Sequence, residues 1–124
     1  MSKVRNLLKI IYFIYILLLI AMYTKVPDGN WDQYKDISNN LFIRNLDHLI
    51  IFFILGAISM FVSYDINIFD KYVVSAFVFS SLIEFLHLIL NYRGFQYIDL
   101  LYNITGCLLG IISLYYIRKL WKNF

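Results

Sequence analysis

Three stretches of this chain, residues 10–24, 49–64 and 100–117, contain no charged side chain at all. At about 1.5 Å of rise per residue, helices built on such runs and their flanks approach the roughly 30 Å of hydrocarbon in a bilayer. A fourth stretch, residues 72–90, is apolar apart from Ser75, Ser80, Ser81, Glu84 and His87. Of the 124 residues, 61% are hydrophobic and 15% charged, against roughly 25% charged in a soluble domain, and the mean hydropathy is +0.69. The surplus apolar surface must face lipid. The sequence therefore predicts an all-α integral membrane bundle of four transmembrane helices, with spans at about residues 7–24, 47–64, 72–90 and 99–117 and a single domain over residues 1–124. Lys9 falls inside the first span, where its ammonium can snorkel to the interface.

The net charge of +3 does not point to nucleic acid, because the basic residues flank apolar segments instead of forming a stripe among polar aromatics. Their distribution speaks to topology. Both termini and the loop near residues 64–71 collect Lys3, Arg5, Lys9, Lys71, Arg118, Lys119 and Lys122, whereas the other side holds Lys25, Lys35, Arg44 and Arg93. The positive-inside rule then predicts a multi-pass protein of the cell membrane with both termini cytoplasmic. A basic start before an apolar run also describes a signal peptide, but no small-x-small cleavage site follows residue 21. The lone Cys107 reads as packing volume and allows no disulfide within one chain. Residues 25–47 form the most polar segment, with Pro27, Asp28, Gly29 and Asn30 marking a turn; Trp31, Tyr34, Leu41 and Phe42 suggest a short amphipathic piece in the interface.

The polar residues within the spans gather toward one leaflet. Asp47 and His48 open the second span, Glu84 and His87 fall in the last turns of the third, and Asp99 opens the fourth with Asn103 a turn deeper. Helical spacing sorts them into stripes: His48, Phe52, Leu55 and Ser59; Ser80, Glu84 and His87; Asp99, Asn103, Gly106 and Gly110. Three helices thus have a face suited to a common interior. The small residues Gly106 and Gly110 let another backbone approach; intramolecular packing is favoured, since the polar stripe already needs that face buried, and a homo-oligomer stays open.

An ionised, unpaired carboxylate at mid-bilayer costs on the order of 2.5–3.5 kcal/mol on insertion scales, so Glu84 must be neutralised, paired or hydrated. One reading is that it fixes helix registration by pairing with Arg93 or donating to Asn103. The other is functional, because His87, Asp99, His48 and Asp47 exceed what registration needs. His87, three residues after Glu84, makes a carboxylate–imidazole couple able to share a proton. Arg93 is a natural receptor for a carboxylate or phosphate. A metal on His48, Glu84, His87 and Asp99 is not expected, since neither His-Glu-x-x-His nor paired Glu-x-x-His motifs occur, and no cofactor is implied. Ser80 and Ser81 lack a nucleophile-elbow setting, and the sequon at Asn103 is coincidental inside a span.

The combination of His48 with Phe52, Phe53, Leu55 and Gly56, then Glu84, Arg93, Asp99, Asn103, Gly106 and Gly110, resembles the VanZ-like family, over spans two to four. That family's pattern has a lysine where this chain has Asn45 and a glutamine where it has His87. The resemblance implies a bacterial cell-envelope protein whose namesake is linked to low-level resistance to teicoplanin, a glycopeptide antibiotic; it implies no settled reaction. The expected function is the binding or modification of a lipid-linked envelope molecule, with His48, Arg93 and Asn103 as ligand-binding residues and Gly56, Gly106 and Gly110 as packing residues. Membrane lipid or a lipid-linked precursor is the expected partner. Two alternatives stand beside it: an intramembrane enzyme using Glu84, His87 and Asp99 in acid–base chemistry, and a structural membrane partner.

Overall fold

A computed structural model describes residues 2–24, 41–89 and 97–122. Among them lie four α-helices and no strand: α1 (Ser2–Thr24), α2 (Leu41–Val62), α3 (Lys71–Ile89) and α4 (Tyr97–Lys122). Two are long and apolar enough to cross a membrane, over Lys3–Met22 and Tyr97–Lys122, while Leu46–Val62 is a shorter apolar helix. The polar loop containing Trp31 and Tyr34, and Arg93, lie outside the described residues.

The helices outrun the predicted spans. α2 starts at Leu41 instead of near residue 47, and α4 continues to Lys122 instead of ending near 117. Backbone hydrogen bonding does not stop where apolarity stops, so Arg44 and Asp47 at one end, and Arg118, Lys119 and Lys122 at the other, remain helical.

The principal seam joins α2 to α4. Its partners rise together in number, His48 with Asn103 and Met60 with Arg118, so the two helices run parallel. Glycines hold the seam close. A Cβ placed on Gly56 would fall onto the carbonyl oxygen of Cys107, one on Gly106 onto that of Leu49, and one on Gly110 onto that of Phe53. The expected close approach at Gly106 and Gly110 therefore belongs, within this chain, to α2.

α3 runs antiparallel to both, entered through a short loop at residues 63–70. Asp70 begins it as an N-cap, its Oδ1 accepting the Tyr72 amide at 2.9 Å. In the preceding turn Asn67 Oδ1 accepts the Phe69 amide at 2.9 Å. At the end of α2 the last carbonyls lack helical partners. Arg118 reaches across from α4 to supply them: Nη1 donates to Met60 O at 2.6 Å, to Ser63 O at 3.0 Å and to Ser63 Oγ at 2.8 Å.

α1 packs on α2 and lightly on α3, and it reaches α4 only through side chains such as Tyr12, which lies near Cys107. Much of its surface is exposed apolar side chain, including Leu7, Phe13, Leu17 and Met22. Two phenols tie it down: Tyr12 bonds the Ser75 hydroxyl at 2.6 Å and donates to Tyr72 O at 3.2 Å, and Tyr15 donates to Ile51 O at 2.6 Å. The core between the helices is built from Tyr12, Leu19, Phe52, Leu55, Met60, Ile83 and Cys107.

Candidate functional site

The stripe on α2 turns inward: Phe52, Leu55 and Ser59 are fully buried, and 12% of the His48 side chain is exposed. Asp47 does not follow it. One residue along a helix is about 100° around it, and with His48 directed at α4 the neighbouring Asp47 is exposed. Asp47 is therefore removed from the converging set that the sequence suggested.

On α4, Asp99 is 4% exposed, Asn103 is fully buried, and Gly106 and Gly110 are buried on the same face. His48 sits between the first two. Its Nδ1 lies 2.7 Å from Asn103 Oδ1 and its Nε2 4.0 Å from Asp99 Oδ2. Because an amide oxygen only accepts, Nδ1 carries a proton in this contact. The other ring nitrogen, Nε2, then faces the carboxylate of Asp99. At 4.0 Å the latter pair is an electrostatic neighbour and not a hydrogen bond.

Glu84 on α3 is fully buried. Its level follows from helix geometry: it stands 14 residues after the Asp70 cap, and His48 stands 14 residues before the end of α2, so both lie about 21 Å from the loop end. Asn103, 15 residues before Arg118, lies at about the same height. The side of α3 facing α4 is marked by Ser80, whose hydroxyl contacts Cys107. One turn further along the antiparallel pair are Glu84 and Asn103, on the faces that Ser80 and Cys107 already place together. Glu84 Oε2, Asp99 Oδ1 and Asn103 Nδ2 are all shut away from solvent.

His87 continues α3 one turn beyond Glu84, with its side chain outside the described residues, as is that of Asn45 on α2. Arg93 is outside them altogether. Among the described residues no three His, Cys, Asp or Glu side chains gather as a metal ion would require.

Several contacts of the structure leave no trace in helical periodicity. Arg118 counted only as a topology charge, yet it caps α2. Tyr12 and Tyr15 blend into an apolar span in the sequence; a tyrosine in such a helix is a signal, since its hydroxyl needs a partner once buried.

Two helices apolar enough to cross a bilayer, and buried carboxyl groups beside a half-buried imidazole at one end of an all-α assembly, point to a helical membrane protein. The family described as VanZ/LLP1 matches residues 3–119, and the chain belongs to it. No curated protein and no solved structure matches the chain.

Proposed function

We propose that the chain is a four-span bundle of the bacterial cell membrane, with both termini cytoplasmic, that binds a lipid-linked envelope molecule from the outer leaflet and thereby contributes to tolerance of teicoplanin. The reading rests chiefly on one observation, that His48 is held between Asp99 and Asn103 while Glu84 lies buried at the same depth on the facing helix. Such an arrangement offers hydrogen-bond donors and acceptors to a polar headgroup, and exposed apolar faces of α1 and α4 leave room for its lipid. Arg93 is assigned the anionic part of that headgroup, because a guanidinium fork pairs bidentately with phosphate. The positive-inside distribution of basic residues supports an outer-leaflet position for this polar end.

The test is co-purification. The wild-type chain, Arg93→Ala and Asn103→Leu are extracted in mild detergent, and the accompanying lipids are identified by mass spectrometry. A polyprenyl-linked envelope species retained by the wild type and lost from both variants supports the proposal. Identical lipid profiles in all three, at equal protein yield, would refute it.

A second reading is favoured by the complete burial of Glu84: acid–base chemistry on the bound molecule, with Glu84 and His87 exchanging the proton and Asp99 holding His48. Glu84→Gln keeps size and hydrogen bonding while removing the exchangeable proton. Lipid retention with loss of the resistance phenotype in that variant selects chemistry; retention of both selects binding alone.

A further inference from the structure

The end of the molecule opposite His48 carries two adjoining clefts that the proposed function does not use. One, of about 370 Å³, lies between the loop after α2 and the end of α4, with Tyr64, Asp65, Arg118, Trp121 and Lys122 in its wall. The other, of about 390 Å³, is lined by Ile68, Phe69, Ile112, Tyr115 and Tyr116, and Ile66 belongs to both. The first is cationic and aromatic, the second apolar.

The cations are organised. Among the described residues every hydrogen bond of Arg118 runs through Nη1, to the end of α2, which fixes the guanidinium plane at the cleft wall. A guanidinium has five N–H donors, and Nη1 holds two of them. Arg5 stacks over the Tyr64 ring at 4.4 Å and lies within electrostatic range of Arg118. Asp65 and Asp70 also act on Arg118, so the cleft has carboxylates at its edge. Around it stand exposed aromatics, Tyr64 at 69%, Phe69 at 79% and Trp121 at 74%. Both helices apolar enough to cross a bilayer present basic ends here, Lys3 and Arg5 on one and Arg118, Lys119 and Lys122 on the other. Aromatic side chains and basic residues together mark headgroup level.

We infer that these two clefts form one site for an anionic phospholipid of the surrounding leaflet, its phosphate set against Arg118 and Lys122 and an acyl chain laid along Ile112, Tyr116 and Phe69. A soluble anion would use only the first cleft. A zwitterionic lipid would fill both but bring its own cation to Arg118 and Lys122. An anionic phospholipid matches the charge of one and the apolarity of the other.

The purified, delipidated full-length chain in a nonionic detergent is titrated with phosphatidylglycerol, with phosphatidylcholine or with inorganic phosphate, and bound lipid is counted by native mass spectrometry alongside thermal unfolding. A cation near an anionic headgroup contributes a factor of about five in affinity, so two cations predict a preference of roughly 25-fold for phosphatidylglycerol over phosphatidylcholine. Lys122→Gln, at an exposed helix end, lowers that preference about fivefold, and Asp65→Asn, which removes a carboxylate from the wall, raises it. Inorganic phosphate leaves the unfolding temperature unchanged. The assignment is overturned if the two lipids bind equally, if neither variant moves the preference, or if inorganic phosphate protects as well as phosphatidylglycerol does.

Discussion

His48 on α2 gives its Nδ1 proton to the side-chain oxygen of Asn103 on α4 across 2.7 Å, which joins the parallel pair at the polar end by a bond between side chains more than fifty positions apart. Interhelical hydrogen bonds of this kind are worth about 0.6 kcal/mol on average in membrane proteins and up to about 1.7. Asn103→Leu should cost that amount or slightly more, since it also strands the imidazole. Unfolding in mixed detergent and dodecyl sulfate measures it, and a His48→Leu, Asn103→Leu double variant should lose less than the sum of the single ones.

Gly110 faces the carbonyl of Phe53 with no room for a methyl group. Gly110→Ala should force α2 and α4 apart and destabilise by about 1–3 kcal/mol, the usual cost of overfilling a packed contact. Leu109→Ala, on the exposed side of the same turn, serves as the control and should change unfolding by less than about 0.5 kcal/mol. Equal effects from both would contradict the glycine seam.

Arg118 supplies donors to Met60 O and Ser63 O at the end of α2. Arg118→Met keeps much of the stem and removes the cap, with an expected loss of about 1.5–3 kcal/mol, as for a hydrogen bond to a charged group. Hydrogen exchange should rise at the amides in and just after the last turn of α2 and leave the middle of α3 unchanged. Uniform exchange throughout would indicate a global effect instead.

Much of this arrangement is legible in the sequence because helical spacing is a strong constraint. The stripe through His48, Phe52, Leu55 and Ser59, and the one through Asp99, Asn103, Gly106 and Gly110, share faces by periodicity alone, and both are buried apart from a small part of His48. Asp47 opens the same span but is not part of that stripe, and a step of one residue carries its side chain away from the interior that His48 enters. Arg118 was legible only as charge. Which carbonyls need a donor depends on where α2 stops and which helix lies beside that point, and neither follows from the local pattern. The tyrosines of α1 had the same difficulty, since a phenol signals a need for a partner without naming it.

Tyr15 donates to Ile51 O, and Tyr12 to Tyr72 O while also bonding Ser75. Tyr15→Phe should weaken the hold of α1 by about 0.6 kcal/mol, and adding Tyr12→Phe should roughly double the loss. A cysteine introduced at Leu8 or Ile16, which pack against the core, should become more reactive to a membrane-permeant maleimide in the double variant. Unchanged labelling would place the attachment of α1 in its apolar contacts alone.

The pairing of α2 with α4 has a consequence for biogenesis. The two segments that fit each other most closely are separated by an entire intervening helix, so during synthesis α2 is made well before the partner it packs against. Until then Gly56 and His48 have no seam to occupy. A chain interrupted before residue 97 would thus keep three of the four described helices and still lack the contact that defines their interior, which makes α4 the keystone of assembly.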